Sequence, residues 1–389
     1  MEANKIKDIT FTNEKKKGQI RVVKIDKDNK EILLDGVTFD VLNEKGQVVD
    51  TIKTDSKGEA ITKKLPIDQK YTVIEKETKE DYVLTEEIQT VTLEQDKIKD
   101  ITFENEKIKG YIEITKISED DNKYNGIVAG TPLEGAIFDI YDSKNNIVDT
   151  VTTGKDGKAK TKLLVKGQYT IKEKSSGSIY YLLNENEYKV EIKEHKETVP
   201  VTIKNKSVEI SVDVEKTGYI ETQKNDIIKY DFSNIANTSN IYLDTFKWKD
   251  YLPTDYIRLN QIITGTWNQD ITYSITYKTN LNNKERILVN NLDSKENYKI
   301  DCTNIGLQNG EYITEYCFDF GSVDIGFKEE IAPSIFCKVL DTVENKDIFT
   351  NKTETTGEYE DLIDTDEDKW TTVVYEKDVH AKKLPKTGN

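Results

Sequence analysis

An all-β chain of tandem sandwich modules is predicted by three observations. The first half carries a long internal repeat, and short runs rich in Val, Ile, Thr, Tyr and Phe alternate with turn signals along the whole chain. No helical period is sustained over a useful length.

The repeat sets the organisation. KIKDITFTNEKKKG at 5–18 recurs as KIKDITFENEKIKG at 97–110, and each copy leads into a lysine-bearing strand, GQIRVVKID at 18–26 and GYIEITKIS at 110–118. LLDGVTFDVLNEKGQVVDT (33–51) is echoed by PLEGAIFDIYDSKNNIVDT (132–150), and QKYTVIEKE (69–77) by GQYTIKEKS (167–175). Two modules are therefore expected, 19–107 and 108–207, each of ordinary domain size. The stretch 1–18 reads as the last strand of a preceding repeat. The junctions NEKIKG and KNKSVE are too short for flexible linkers. From 208 to 378 a third and larger β domain is expected, and 379–389 forms a tail. This third region holds Cys302, Cys317 and Cys337 and most of the excess negative charge, which peaks in EYEDLIDTDED at 358–368.

Composition excludes several functions. A net charge of −16 opposes binding to nucleic acid, whose phosphates need a basic surface. No long apolar run reads as a membrane-spanning helix or a signal-peptide core. With three cysteines, two widely separated histidines and neither CxxC nor HExxH, no zinc or haem ligand set exists, so no cofactor and no metal is expected. The three cysteines permit one disulfide at most, and their apolar strand positions suggest packed thiols. DTDED at 364–368 alternates like a calcium loop, but Lys369 stands where that loop needs Gly and Tyr375 where it needs Glu; a solvated acidic loop is expected.

Strand parity identifies the candidate chemistry, because residues two apart share a face. Lys24 is in phase with Ile20 and Val22, Glu75 with Tyr71 and Val73, and Asn105 with Ile101 and Phe103. The second module repeats this with Lys116, Glu173 and Asn205. A buried lysine escapes the cost of burial by becoming neutral, and a neutral amine is a nucleophile. Beside an Asn carboxamide, with a Glu to relay protons, it can expel ammonia and leave an isopeptide bond. The same residues also fit a buried Lys–Glu ion pair with Asn as hydrogen-bond filler, or strand ends reaching solvent.

YTVIEKETKEDY (71–82) and YTIKEKSSGSIY (169–180) resemble the E-box of Gram-positive pilin and adhesin repeats, the SpaA-like or Cna B-type domains with an Ig-like, transthyretin-like sandwich. Both lack the Ala-Pro step usual in that motif. The resemblance implies Lys24–Asn105 and Lys116–Asn205 cross-links catalysed by Glu75 and Glu173, with Asn13 the orphaned acceptor of the preceding repeat. The third domain looks like the sandwich often placed before a wall-sorting signal, and there Lys216, Asp250 and Asn351 would form a Cna A-type set, with Asn345 as a competing acceptor. LPKTG, comprising Leu384, Pro385, Lys386, Thr387 and Gly388, matches the LPxTG sorting signal. The expectation is a secreted protein of a Gram-positive cell wall, a stiff stalk or pilin-like subunit with no turnover activity. Its partners would be sortase and peptidoglycan. Alternatives are an adhesin binding a host extracellular-matrix or glycan ligand through the third domain, a polymerising pilus subunit, or a secreted hydrolase.

Overall fold

The first strand shows why the chain folds as it does. In Lys17–Asp26 every second residue is apolar or in phase with the apolar ones, and the burial pattern alternates strictly along it. In the computed structural model residues 9–376 are described, and among them every regular element is a strand. Two compact units divide the chain. One takes residues up to Asp121 with Gly126–Ser178 and Leu183–Asn205; the other takes Asn122–Asn125, Ile179–Leu182 and everything from Lys206 on.

The first unit contains both repeats. Module one runs β1 (Lys17–Asp26), β2 (Thr38–Leu42), β3 (Val48–Lys53), β4 (Glu59–Ile61), β5 (Leu65–Pro66), β6 (Lys70–Glu77), β7 (Ile88–Thr92) and β8 (Ile98–Asn105). One sheet is ordered β3-β2-β6-β7; the facing sheet has β1 at its centre, paired with β4, β5 and β8. The first and last strands, β1 and β8, are parallel neighbours, with Lys24 opposite Phe103 and Asp26 opposite Asn105. Their inward residues pack with Phe39, Val41, Tyr71 and Val73 into one core. Module two repeats the design with β9 (Lys109–Ser118), β10 (Ile137–Tyr141), β11 (Ile147–Thr152), β12 (Lys158–Lys160), β13 (Leu164–Val165), β14 (Gly167–Ser175), β15 (Tyr188–Ile192) and β16 (Thr198–Asn205). Here β9 and β16 are the parallel pair, with Lys116 opposite Ile203 and Ser118 opposite Asn205.

The two modules are joined without a free linker. Ile108 N–H donates to Asp81 O at 2.8 Å and Lys166 N–H donates to Ile108 O at 2.8 Å. Ion pairs Lys109–Asp28 and Lys166–Asp81, each 2.6 Å, flank these bonds.

The second unit is built on β17 (Val212–Gly218), β18 (Glu221–Thr222), β19 (Ile227–Asn237), β20 (Leu243–Tyr251), β21 (Ile257–Ile263), β22 (Thr266–Trp267), β23 (Thr272–Thr279), β24 (Asn282–Asp293), β25 (Lys299–Asp301), β26 (Ile313–Val323), β27 (Glu329–Ile331), β28 (Ser334–Val339), β29 (Ile348–Tyr359) and β30 (Leu362–Val374). A five-stranded sheet, β17-β19-β28-β21-β25, and a seven-stranded sheet, β18-β30-β29-β20-β26-β23-β24, enclose an aromatic-rich core around Trp248, Trp267, Phe246, Phe318 and Phe320. Cys302, Cys317 and Cys337 are free and buried, the first and last of them in this core, and burial pushes the Cys302 and Cys317 thiols up to about 12.

The structure departs from expectation in three places. Residues 9–16, expected as a strand, form none, and Phe11 is 86% exposed. A strand needs a partner edge for its N–H and C=O groups; the closely similar sequence at β8 has β1 to pair with, whereas 9–16 joins no strand ladder. The short segments 122–125 and 179–182, expected with module two, belong to the second unit, where Val208 N–H donates to Tyr180 O at 2.9 Å and Ile210 N–H to the Tyr124 hydroxyl at 3.0 Å. The acidic run 364–368, expected as a solvated loop, lies inside β30.

Candidate functional site: three buried lysine–carboxylate–asparagine sets

Each predicted set converges in the interior of its own sandwich. In module one, Lys24 comes from β1 and Asn105 from β8, two residues out of register on paired strands, while Glu75 reaches across from β6 of the facing sheet. Lys24 Nζ lies 2.7 Å from Glu75 Oε2 and donates to Asn105 Oδ1 at 2.6 Å. Asn105 Nδ2 donates back to Glu75 Oε1 at 2.6 Å, which closes a triangle. The Lys24 and Glu75 side chains are both fully shielded from solvent. Phe39 and Phe103 hold their ring centroids 5.8 and 5.7 Å from Nζ and wall the site.

Module two builds the same triangle. Lys116 Nζ contacts Glu173 Oε2 at 3.0 Å and donates to Asn205 Oδ1, and Asn205 Nδ2 donates to Glu173 Oε1 at 2.8 Å. Phe138 takes the aromatic position, 5.5 Å from Nζ. The strand-end escape to solvent is thereby ruled out for these side chains; both lysines are 0% exposed.

The third set has another geometry. Lys216 stands on β17 of the five-stranded sheet, whereas Asp250 on β20 and Asn351 on β29 are on adjacent strands of the seven-stranded sheet. Lys216 Nζ donates to Asp250 Oδ1, and Asn351 Nδ2 donates to Asp250 Oδ2 at 3.2 Å. Asn351 Oδ1 is buried with no hydrogen-bond partner, so the carbonyl–lysine bond seen in the other two sets is missing here. Tyr230 and Phe232 line the lysine at 4.9 and 4.6 Å. The competing acceptor Asn345 is instead at the surface, where its side chain accepts from Glu376 N–H at 3.2 Å.

The electrostatics follow from burial. Desolvation holds Lys24, Lys116 and Lys216 below the usual lysine value, against the opposing pull of the neighbouring carboxylate. Desolvation likewise lifts the Asp250 carboxyl above the ordinary aspartate range, with Lys216 pulling the other way. An amine whose ammonium form is disfavoured by burial, held beside a carboxamide and a carboxylate, has the groups that acyl transfer from nitrogen to nitrogen requires.

Two contacts escaped sequence reasoning. Asn105 Nδ2 also donates to Thr78 Oγ1 at 2.6 Å, and Asn184 N–H donates to Glu173 Oε2 at 3.0 Å. Thr78 directly follows β6 and Asn184 lies in the connection between β14 and β15, where period-2 parity gives no signal. Among the described residues no group of three or more His, Cys, Asp or Glu side chains could hold a metal ion. The sorting-signal residues Leu384, Pro385, Lys386, Thr387 and Gly388 lie outside the described residues.

The SpaA family, described as a prealbumin-like fold domain, matches residues 18–107 and 110–207. A trypsin-resistant surface T6 protein of Streptococcus pyogenes is 37% identical over 89 residues, which are 23% of this chain and 16% of that relative. This chain thus spans only a small part of that protein. Among solved structures, the Bacillus anthracis TIE protein is 19% identical with a TM-score of 0.43, covering 92% of this chain and 50% of that one. A minor pilin of Streptococcus agalactiae is 19% identical with a TM-score of 0.24, over 49% and 97% of the respective chains. The major pilin subunit of Bacillus cereus is 13% identical with a TM-score of 0.25, over 68% and 69%. By sequence match and by architecture, the two tandem modules of this chain are SpaA prealbumin-like fold domains.

Proposed function

We propose that this chain is a covalently braced stalk of a Gram-positive surface protein, in which each SpaA domain ties its first strand to its last by a self-formed Lys–Asn isopeptide bond. The observation that carries this reading is the Lys–Glu–Asn triangle, built twice from equivalent positions and sealed from water in both modules. Lys24 Nζ, in its neutral form, attacks Asn105 Cγ. The Cγ–Nδ2 bond breaks, Glu75 takes a proton from the attacking nitrogen and delivers one to Nδ2, and ammonia leaves. Lys116, Glu173 and Asn205 act in the same way. Each bond forms once, so the protein is not an enzyme in the turnover sense. The bond removes the ion pair that would otherwise be a costly way to fill a core, and it bridges parallel neighbours that tension would shear apart.

The convergence of Lys216, Asp250 and Asn351 supports a third bond, Lys216 to Asn351, with Asp250 as the proton carrier. Wall attachment through Thr387 of LPKTG, by sortase transfer to peptidoglycan, is the reading of the C-terminal motif; it accords with a relative that is a surface protein. Intact mass tests the bonds: one ammonia should be missing for each, and Glu75→Ala and Glu173→Ala should each restore one. Wall attachment is tested by expressing the protein in a sortase-positive Gram-positive host. Detergent-resistant wall protein should disappear with Thr387→Ala, whereas a ladder of polymers would favour a pilus subunit.

A further inference from the structure

The acidic run of β30 contacts β17 in a way that neither the fold nor the cross-link chemistry accounts for. Asp364 Oδ2 accepts from Val212 N–H at 3.1 Å, Asp366 Oδ2 from Val214 N–H at 2.9 Å, and Asp368 Oδ2 from Lys216 N–H at 2.7 Å. Each contact spans 152 residues, so the two strands run parallel in constant register, and β18 continues at the same offset as a true backbone ladder, Glu221 opposite Val373 and Thr222 opposite Val374. Three carboxylates thus substitute for a ladder and stand β17 off from β30 by about a side chain's length. On its other edge β17 pairs with β19, but that pairing skips Val214, with a register shift between Asp213 and Glu215. The middle carboxylate binds at this break.

We propose that Asp364, Asp366 and Asp368 are positioning residues for the third cross-link, a rail that fixes the register of β17 so that Lys216 is presented to Asp250 and Asn351. This rests on the reading of Lys216, Asp250 and Asn351 as a cross-linking set. A strand rises about 3.3 Å per residue, and a slip of one residue turns every side chain to the opposite face. A slip of two residues keeps the face but carries Lys216 about 7 Å away. Only the observed register satisfies all three carboxylates, and the last of them holds the backbone of the nucleophilic lysine itself. Misplacement by about 1 Å costs a reaction of this kind roughly a hundredfold in rate.

The test uses the full chain with all three aspartates changed to Ala or all three to Asn, because an Asn oxygen can still accept the N–H while the charge is lost. The Lys216–Asn351 linked peptide is followed by tandem mass spectrometry against time after synthesis; the Lys24–Asn105 and Lys116–Asn205 peptides serve as internal controls. The Ala variant should form the third link about ten- to a hundredfold more slowly, and the Asn variant should return to within about threefold of wild type. In an Asn351→Ala background, which cannot cross-link, the Val212, Val214 and Lys216 amides should lose hydrogen-exchange protection with the Ala rail and keep it with the Asn rail. Linkage at the wild-type rate with the Ala rail overturns the inference alone, and so does an Asn rail as slow as the Ala rail. Absence of the third link from wild type defeats the cross-link reading of this domain, and the positioning role falls with it.

Discussion

The SpaA modules and the third domain place the same three functional groups on different sheets. In the modules, the amine and the carboxamide share a sheet on directly paired parallel strands, β1 with β8 and β9 with β16, and the carboxylate crosses from the facing sheet. In the third domain the carboxylate and the carboxamide share a sheet and the amine crosses. The consequence is mechanical. A bond between paired terminal strands locks both chain ends of a module, whereas Lys216–Asn351 would leave the last described strand, β30, outside the tie. There β30 meets the first strand, β17, through carboxylates and pairs with β18 in a short parallel ladder. The comparison teaches that burial of an amine, an amide and a carboxylate together is the common requirement, and that connectivity decides which strands a bond would protect.

The largest expected effect comes from unmaking a module's bond. Lys24 and Asn105 are 81 residues apart, and by the loop-closure entropy used for disulfides a tie over that span is worth about 4 to 5 kcal/mol. Glu75→Gln should abolish the bond and lower the stability of module one by about that amount in denaturant titration, leaving module two unchanged. Equal loss in both modules would break the picture of independent ties. The corresponding change in the third domain, Asp250→Ala, removes the carboxylate partner of the buried Lys216 Nζ and should cost about 3 to 5 kcal/mol. A variant as stable as wild type would mean that Lys216 does not depend on this carboxylate.

A smaller effect probes the packing that brings β17 toward β30. A Cβ on Gly218 would stand 2.6 Å from Tyr230 Cδ1 and 3.0 Å from Trp370 Cδ1. Gly218→Ala should therefore destabilise the third domain by about 1 to 3 kcal/mol, measured by thermal unfolding, with both modules unaffected. No change would show that these rings can withdraw freely.

The smallest effect separates the two modules from each other. Asp26, beside the first triangle, is replaced by Ser118 in the second. Burial raises the Asp26 carboxyl, but this is outweighed by the Asn29 N–H, the Tyr82 hydroxyl and the Asp28 N–H, with Lys107 adding to them; the net direction is below the usual aspartate value. A depressed folded value means the stabilisation is complete above the unfolded pKa of about 3.9 and is lost as pH falls through the lower folded one. Asp26→Ser should cost on the order of 1 kcal/mol at neutral pH and flatten the acid dependence of module one until it matches module two. An unchanged acid profile would assign that dependence to other carboxylates.

Much of this was legible because a strand has a period of two. Parity alone places Lys24, Glu75 and Asn105 inward, and the same reasoning finds Asp250 with Trp248 and Asn351 with Phe349, all of which are buried. Parity says nothing of which strands meet, so the exchange of roles between the sheets in the third domain was invisible. Thr78 and Asn184 lie outside the strands and carry no periodic signal. The acidic strand was misread because Asp is depleted from strands and a run of it suggests solvent. Its carboxylates find their partners on a backbone 152 residues away, a match that no local pattern encodes. Residues 9–16 failed in the opposite sense: their sequence is that of a strand, but pairing is a property of two edges.

The most direct test of the central claim is the intact mass of the folded chain, with tandem mass spectrometry of its digest. A deficit of one ammonia is expected for each bond, located in peptides joining Lys24 to Asn105, Lys116 to Asn205 and Lys216 to Asn351, with Glu75→Ala and Glu173→Ala each restoring one. Full unmodified mass in protein that is demonstrably folded would contradict it and leave the three sets as buried ion pairs.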